Sequence, residues 1–232
     1  MEIKEIAPIE IGYFFESLND KEIANKSLLT EFILKQVGVG FRGKDFDIKR
    51  GEYLESKGMK IKIWPDELAA FLIFLYEHKT EINSYVEFGT GGGGTFFIID
   101  SYLRTINPNM ENSVTIDMRK RAPRGLDAYK TKYTKSEFIQ MKTKDFPTNQ
   151  KYDLCFLDAE HSYGDARKDY VKMKNCCKFI AFHDIQTISR HYPNEMCVRH
   201  LWGEISADHK ISIVTDDPRI SFMSGIGVVW ND

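Results

Sequence analysis

Two clusters that combine acidic side chains with histidine follow apolar segments in the second half of the chain. Asp158 and His161 come after the apolar run at 152–157, and His183 and Asp184 come after the run at 179–182. Carboxylates and imidazoles that converge on one place can bind a divalent cation or supply a general base. Such side chains can also cap a helix or pair with each other. Two clusters after neighbouring segments favour the functional interpretation.

A glycine-rich segment, Glu87 to Thr95, follows an earlier apolar run. Gly89, Gly91 and Gly94 fit the spacing G-x-G-x-x-G. Glycines at a strand-to-helix turn let the backbone approach a ligand closely, beside the positive end of the helix. A tight turn without a ligand is the alternative. Because four consecutive glycines cost backbone entropy that a simple turn does not need, the segment favours a binding site.

An acidic residue, Asp117, ends the next apolar run at 114–116. An acid at that position suits the two ribose hydroxyls of an adenosine. The alternative is an ordinary carboxylate at the end of a strand. Together with the glycine-rich segment, Asp117 predicts a cofactor that contains adenosine, without saying which one.

The segments that must position these residues alternate between strand and helix patterns. Strands are predicted at 85–88, 114–116, 137–141, 152–157 and 179–182, and helices at about 65–78, 95–104, 163–176 and 196–205. Such alternation predicts βαβ units and a parallel sheet covered on both faces. The last two strands, 210–215 and 225–230, have no helix between them and predict an antiparallel hairpin. Since ligands bind at the carboxyl ends of parallel strands, both clusters and the glycine-rich segment should face one crevice.

The first 64 residues have a different pattern. Apolar residues recur at helical spacing over 28–37, and Gly38 is a plausible helix end. Residues 38–62 carry five glycines and many lysines, which is typical of a surface loop; within them, the alternation at 59–63 indicates a strand or flap near the active site. The prediction is one domain at 65–232, with residues 1–64 as a cap that does not fold independently.

Composition excludes several classes of protein. The chain has 232 residues, 42% of them hydrophobic, and 32 basic against 34 acidic side chains give a formal net charge of −2. These values are far from those of disordered chains and of general polyanion binders. The longest fully apolar stretch, 68–76, is far shorter than the roughly 20 residues of a membrane span. The four cysteines show no metal-binding spacing and predict reduced thiols in a cytoplasm.

The order and spacing of these segments resemble class I S-adenosylmethionine-dependent methyltransferases. The segments that carry the resemblance are 87–95, Asp117, 158–163 and 183–184. Most similar are the small O-methyltransferases with D-G-x-H-x-Y after the fourth strand and H-D after the fifth, a group with sugar-modifying enzymes and relatives of macrocin and cephalosporin-pathway proteins. The resemblance covers residues 65–230. The chain departs from it at Ala159, where glycine is usual, and at 175–178, where the group has a Pro-Gly-Gly turn.

The resemblance implies an α/β, Rossmann-like fold with a mostly parallel seven-stranded sheet, an antiparallel C-terminal hairpin and an N-terminal helical cap. It implies S-adenosyl-L-methionine as cofactor and a divalent metal, with Mg²⁺ favoured. The implied cofactor-binding residues are Glu87, Gly89, Thr90, Gly91, Gly93, Thr95, Asp117 and Asp158. The metal would be held by Asp158 and Asp184, with His183 as a third ligand, and the catalytic residues would be His161, His183 and Asp158, either histidine serving as the base.

The function expected from these residues is metal-assisted O-methylation of a hydroxyl on a sugar or another small molecule. The expected partner is a small-molecule acceptor, such as a sugar or a nucleotide-sugar, rather than nucleic acid or a membrane. The sequence leaves open whether the chain forms a homo-oligomer. The acceptor site would be built from residues 1–64 and 185–195. Two alternatives are an NAD(P)-dependent oxidoreductase, which would use the same glycine-rich turn and Asp117, and a noncatalytic nucleotide-binding module. A nucleic-acid methyltransferase is disfavoured because no Asn-Pro-Pro-Tyr type motif is present.

Overall fold

The computed structural model describes residues 5–40, 53–59, 61–187, 196–215 and 224–231. Seven strands form one sheet: β1 (Ser84–Phe88), β2 (Asn112–Asp117), β3 (Ser136–Gln140), β4 (Tyr152–Leu157), β5 (Cys177–His183), β6 (His209–Ile213) and β7 (Ile226–Trp230). The order is β3-β2-β1-β4-β5-β7-β6. The first five strands are parallel, and β7 runs antiparallel to both β5 and β6. This is the Rossmann-like sheet with an antiparallel hairpin that the sequence predicts.

Helices lie on both faces of the sheet. They are α1 (Pro8–Glu16), α2 (Asp20–Ile23), α3 (Lys26–Phe32), α4 (Pro65–Glu77), α5 (Gly94–Ile106), α6 (Leu126–Lys130), α7 (Tyr163–Met173) and α8 (Val198–Glu204). A π-helical turn, Ile33–Val37, extends α3 to Gly38, whose positive φ of 85° ends it. In the described part of the chain, none of the helices has the length and apolar character to cross a membrane.

Successive residues of a strand point to opposite faces, and each face has its own core. On β4, for example, Leu154 and Phe156 contact the core under α1, α3, α4 and α5. Cys155 and Leu157 contact the core under α7 and α8. Because both faces are covered, the central strands are almost continuously apolar, and this explains why β4 has the predicted bounds.

The N-terminal part of the chain belongs to the first of these cores. Ile11 and Phe15 of α1 and Phe32 of α3 are fully or almost fully buried, and they pack with residues of α4 and α5. The hydroxyl of Tyr102 on α5 donates a hydrogen bond to the carbonyl of Ile23 at 2.8 Å. The N-terminal helices therefore form one face of the protein's main core.

The described residues of 38–62 form no helix or strand, as the prediction of a loop requires, but several of them are buried rather than at the surface. Met59 is 4% exposed and Ile61 1% exposed, and Tyr53 and Ser56 are also buried. The backbone of Val39 forms isolated β-bridges with Glu55 and Ile61. Local composition indicated a surface loop because the partner of this segment, the glycine-rich turn before α5, lies more than 30 residues further along the chain.

Candidate active site

Strand register brings the candidate residues to one edge of the sheet. Phe88, the last residue of β1, pairs with Ile116 of β2 and with Leu157 of β4. The residues that follow, among them Asp117 and Asp158, therefore lie at the same level. Neighbouring strands are about 4.8 Å apart, so Asp117 and Asp158 flank the glycine-rich turn at roughly one strand spacing on either side. This arrangement forms the crevice that the topology predicts.

The two acid–histidine clusters meet at one end of this crevice. Nδ1 of His161 lies 2.7 Å from Oδ2 of Asp184. Nδ1 of His183 lies 3.1 Å from Oδ1 of Asp158 and 3.7 Å from Oδ1 of Asp184. Asp158, His161 and Asp184 can each offer a ligand atom such that all these atoms lie within 4.8 Å of one another. The three side chains could thus hold a metal ion together.

The two histidines differ in exposure. The side chain of His183 is 4% exposed and that of His161 is 62% exposed. Burial alone would lower the pKa of His183, but the charges of Asp184 and Asp158 outweigh it and raise this pKa to about 9. The hydrogen bond to Asp184 raises the pKa of His161 as well. His183 is therefore an internal partner of the carboxylates, whereas His161 can reach a molecule in the crevice.

Asp184 has an uncommon backbone conformation. Among the described residues it alone combines a side chain with a positive φ, 64°, and such a conformation is strained and concentrates at functional sites. The hydroxyl of Thr187 donates a hydrogen bond of 2.6 Å to Oδ1 of Asp184. Burial would raise the pKa of Asp184, but His183 and His161 hold it well below its usual range. Sequence reasoning missed Thr187, for which the spacing Asp-x-x-Thr after a strand is the available signal.

Below the glycine-rich turn, three side chains form a buried polar chain. The hydroxyl of Thr115 donates to Oε2 of Glu87 at 2.6 Å, and the hydroxyls of Thr90 and Thr115 are 2.7 Å apart. Glu87 is 1% exposed. Burial raises the pKa of Glu87 well above its usual range, and the hydrogen bond from Thr115 offsets only part of this effect. These hydrogen bonds hold the glycine-rich turn from the side of the protein interior.

The glycines of the turn lack side chains for different reasons. A Cβ atom on Gly89 would lie 2.2 Å from the carbonyl oxygen of Asp158, and one on Gly93 2.5 Å from Pro123. A Cβ on Gly92 would lie 2.3 Å from the carbonyl oxygen of Met59. Only at Gly91 does the turn face open space, with no atom within 4 Å of such a Cβ. The open part of the turn is therefore narrower than the run of glycines implies.

The open part of the turn lies beside Asp117. Oδ2 of Asp117 accepts a hydrogen bond from the amide of Gly91 at 3.1 Å, and Oδ1 accepts one from the amide of Arg119 at 2.9 Å. Met118, which follows Asp117 in the sequence, is 60% exposed. Sequence reasoning missed Met118, and its signal is one apolar residue between a strand-end acid and a basic run. Asp117 and Met118 thus offer a polar and an apolar surface side by side.

Two amides around the start of α5, those of Gly93 and Gly94, already have backbone partners. The amide of Gly93 donates to the carbonyl of Thr90 at 2.7 Å, and that of Gly94 donates to the carbonyl of Met59 at 3.2 Å. Thr95, in the first turn of α5, is half-buried. A ligand in this crevice therefore meets the turn mainly at Gly91, which is exposed, whereas Thr90 is 5% exposed. The other predicted cofactor residues at the turn, Gly89 and Gly93, lie packed against neighbouring backbone or side chains.

No family model matches the chain, and no curated protein matches it. Solved structures similar to it include N-methyltransferase NodS from Bradyrhizobium japonicum in complex with S-adenosyl-L-homocysteine, at 11% identity over 70% of this chain and 84% of that one, with a TM-score of 0.47. A second is the 1,6-didemethyltoxoflavin-N1-methyltransferase of Burkholderia thailandensis, at 10% identity over 72% and 79% of the chains and a TM-score of 0.49. A third is Thermoplasma acidophilum 1320, at 16% identity over 72% and 89% and a TM-score of 0.46. Because these sequence identities and TM-scores are low, the chemistry follows from this chain's own residues and not from the similar structures.

Proposed function

We propose that this chain is an S-adenosylmethionine-dependent methyltransferase that methylates a hydroxyl of a sugar or another small molecule with the help of a divalent cation. The observation that carries the proposal is the division of the crevice into two halves. One half is open at Gly91 and lined by Asp117. The other half holds the cluster of Asp158, His161 and Asp184. A cofactor in the first half would point its reactive end toward the second.

The charges of the crevice suit this cofactor. S-adenosylmethionine carries a sulfonium and an ammonium group against one carboxylate, so it is a cation overall. Acidic residues end or directly follow three of the strands around the crevice, at Asp117, Asp158 and Asp184. Asp117 would accept hydrogen bonds from the ribose hydroxyls, and the exposed side chain of Met118 would contact the adenine. Gly91 would contact the methionine part through its backbone.

A dinucleotide cofactor fits the crevice less well. The pyrophosphate of NAD binds to free amides at the N-terminus of the helix after the glycine turn. Here the amide of Gly94 is bonded to the carbonyl of Met59, whose oxygen carries a partial negative charge at that place. A noncatalytic module, for its part, gives no reason to hold Asp184 in a strained conformation against an exposed histidine. The methyltransferase interpretation accounts for both features.

The cluster supplies a base and a means of orienting it. Asp184 bonds Nδ1 of His161, which leaves Nε2 to accept the proton of the acceptor hydroxyl. Bound S-adenosylmethionine would supply an electrophilic methyl group with a thioether leaving group for in-line attack by the hydroxyl oxygen, and His161 would keep the proton. The enzyme contributes mainly orientation and deprotonation, since the sulfonium is already a good leaving group. His183 holds Asp158 in place from inside the protein.

The donor set fits a divalent cation. Carboxylate oxygens are the ligands that Mg²⁺ prefers, and Asp158 and Asp184 would hold it. A bound cation lowers the pKa of a coordinated hydroxyl. Neutralisation of these carboxylates would also return His161 toward its neutral form. In this proposal His183, which the family resemblance suggested as third ligand, supports Asp158, and His161 is kept as the base.

The test is the thermal stability of the protein with S-adenosylhomocysteine, NAD or ADP, each with Mg²⁺ or with EDTA. A ligand at about 100 times its Kd stabilises the folded state by about 2.7 kcal/mol, which corresponds to roughly 5–10 °C in Tm at this size. We expect that shift for S-adenosylhomocysteine and none for NAD. Asp117→Asn should remove it, while the matched control Asp127→Asn, at an exposed site on α6, should keep it.

The cation has a separate readout in the same experiment. Asp158→Asn and Asp184→Asn should abolish any Mg²⁺-dependent shift in Tm while the shift from S-adenosylhomocysteine persists, because the two halves of the crevice use different residues. A shift with NAD and none with S-adenosylhomocysteine would overturn the proposed cofactor. A Mg²⁺ response that both variants retain would overturn the proposed cation site.

A further inference from the structure

The segment 53–59 covers one side of the glycine-rich turn. The carbonyl oxygen of Met59 accepts the amide of Gly94, the first residue of α5. A Cβ atom on Gly92 would lie 2.3 Å from that oxygen, and one on Gly94 would lie 2.9 Å from it. At these distances, the backbone of Met59 cannot move toward the glycine-rich turn unless the turn also changes its conformation. Two of the consecutive glycines are thus explained by a contact within the protein.

The segment 53–59 is itself held by a carboxylate near the N-terminus. Oε1 of Glu5 accepts hydrogen bonds from the hydroxyl of Ser56 at 2.6 Å and from the amide of Met59 at 2.9 Å. Oε2 accepts one from the amide of Gly58 at 3.2 Å. Burial would raise the pKa of Glu5, but these hydrogen bonds outweigh it and lower the pKa, so the carboxylate is ionised at neutral pH. One side chain therefore binds three donors across more than 50 residues of sequence.

We infer that Glu5 is a positioning residue for the cofactor site, acting through Met59 on the glycine-rich turn. Hydrogen bonds to an ionised acceptor are about twice as strong as neutral ones, so the three bonds fix the Met59 carbonyl against Gly94. That contact holds the turn in the conformation in which Gly91 faces open space. The inference rests on the proposed function for the identity of the ligand, but the coupling between Glu5 and the turn does not depend on it.

Two measurements test the inference. The first is hydrogen exchange of the amides in 89–97 without ligand, and the second is the Kd for S-adenosylhomocysteine by calorimetry. Glu5→Ala should speed exchange in 89–97 at least tenfold and raise the Kd about tenfold. Glu5→Gln keeps one acceptor oxygen and should restore most of both. The matched control, Glu10→Ala, removes an exposed carboxylate that accepts a local hydrogen bond from the amide of Ala7, and it should change neither.

A second variant keeps the test decisive if Glu5→Ala does not fold. Gly92→Ala places a methyl group against the Met59 carbonyl and should speed exchange in 89–97 with Glu5 intact. Unchanged exchange in both variants would overturn the inference, as would an equal effect of Glu10→Ala. If the wild-type protein does not bind S-adenosylhomocysteine, the proposed function fails, and the exchange data still decide the role of Glu5.

Discussion

Asp169 on α7 is a buried carboxylate that makes the stability of the protein depend on pH. It is 5% exposed, and burial raises its pKa from 3.8 to about 6, although a hydrogen bond with Thr143 and the charge of Lys172 act in the opposite direction. Because the folded state holds this proton more tightly than the unfolded state, the cost of ionisation develops between about pH 4 and pH 6. Asp169→Asn should therefore gain stability relative to the wild type as pH rises through that window, by on the order of 1–2 kcal/mol.

The measurement is urea denaturation of both proteins at pH 4, 5, 6 and 7. Asp165, on the same helix, is the matched control: its hydrogen bond with Lys168 lowers its pKa, so Asp165→Asn should lose stability relative to the wild type as pH rises. A difference between Asp169→Asn and the wild type that stays constant from pH 4 to 7 would show that Asp169 is not the titrating group.

At the candidate site, the sequence predicted which residues meet but not the role of each. Strand ends and spacing were enough to bring His161 and His183 to one cluster with two aspartates. They could not distinguish the histidines, because exposure depends on what covers each ring. His183 ends β5 under the side chains of the neighbouring elements and is 4% exposed, while His161 lies in the loop after β4 and is 62% exposed. That difference supports the proposal that His161, rather than His183, acts in the crevice.

Between elements, Asp100 of α5 is the acceptor that joins two strands and a second helix. Its carboxylate accepts hydrogen bonds from Ser113 of β2, from Ser136 at the start of β3 at 2.5 Å and from Tyr129 of α6 at 2.9 Å. Arg104 donates to it from the next turn of α5 at 2.9 Å. Asp100→Ala leaves these donors without their acceptor and should lower the free energy of unfolding by about 3–5 kcal/mol.

Urea denaturation at pH 7 measures this loss. Thr105→Ala on the same helix is the control, since it removes only a local hydrogen bond to the carbonyl of Ser101 and should cost less than about 1 kcal/mol. Equal losses in the two variants would show that the carboxylate of Asp100 does not hold these elements together.

The elements differ in how far the sequence predicted them. The strands β1, β2, β4 and β5 were predicted closely because burial on both faces makes each a short apolar run that ends in polar or glycine residues. The helix α1 and the burial of Tyr53, Ser56, Met59 and Ile61 were not predicted. Their positions depend on contacts with α5 and its glycine turn, which lie far along the chain. The composition of a segment does not indicate its contacts with distant parts of the chain, and the five glycines in 38–62 favoured a surface loop instead.

The whole molecule has one main core that the N-terminal residues share with the sheet. Phe15 and Phe32 contact each other at 5.6 Å between ring centroids, and Phe15 lies 5.2 Å from the ring of Tyr102 on α5. Both phenylalanines are fully or almost fully buried. A fragment that begins at residue 65 would expose the surface of α4 and α5 that these rings cover. We therefore expect the fragment 65–232 not to reach a stable fold.

The intact chain should accordingly unfold in a single transition, and its three tryptophans allow this to be measured in each part. Trp64 precedes α4 and is 1% exposed, whereas Trp202 and Trp230 lie in α8 and β7. Trp202→Phe with Trp230→Phe leaves Trp64 as the reporter, and Trp64→Phe leaves the other two. If residues 1–64 are part of the same cooperative unit, fluorescence and circular dichroism should give the same urea midpoint within each variant. Fluorescence of Trp64 that changes at a lower urea concentration than the circular dichroism, or cooperative unfolding of the fragment 65–232, would show instead that the N-terminal residues are an appendage to an independently stable sheet.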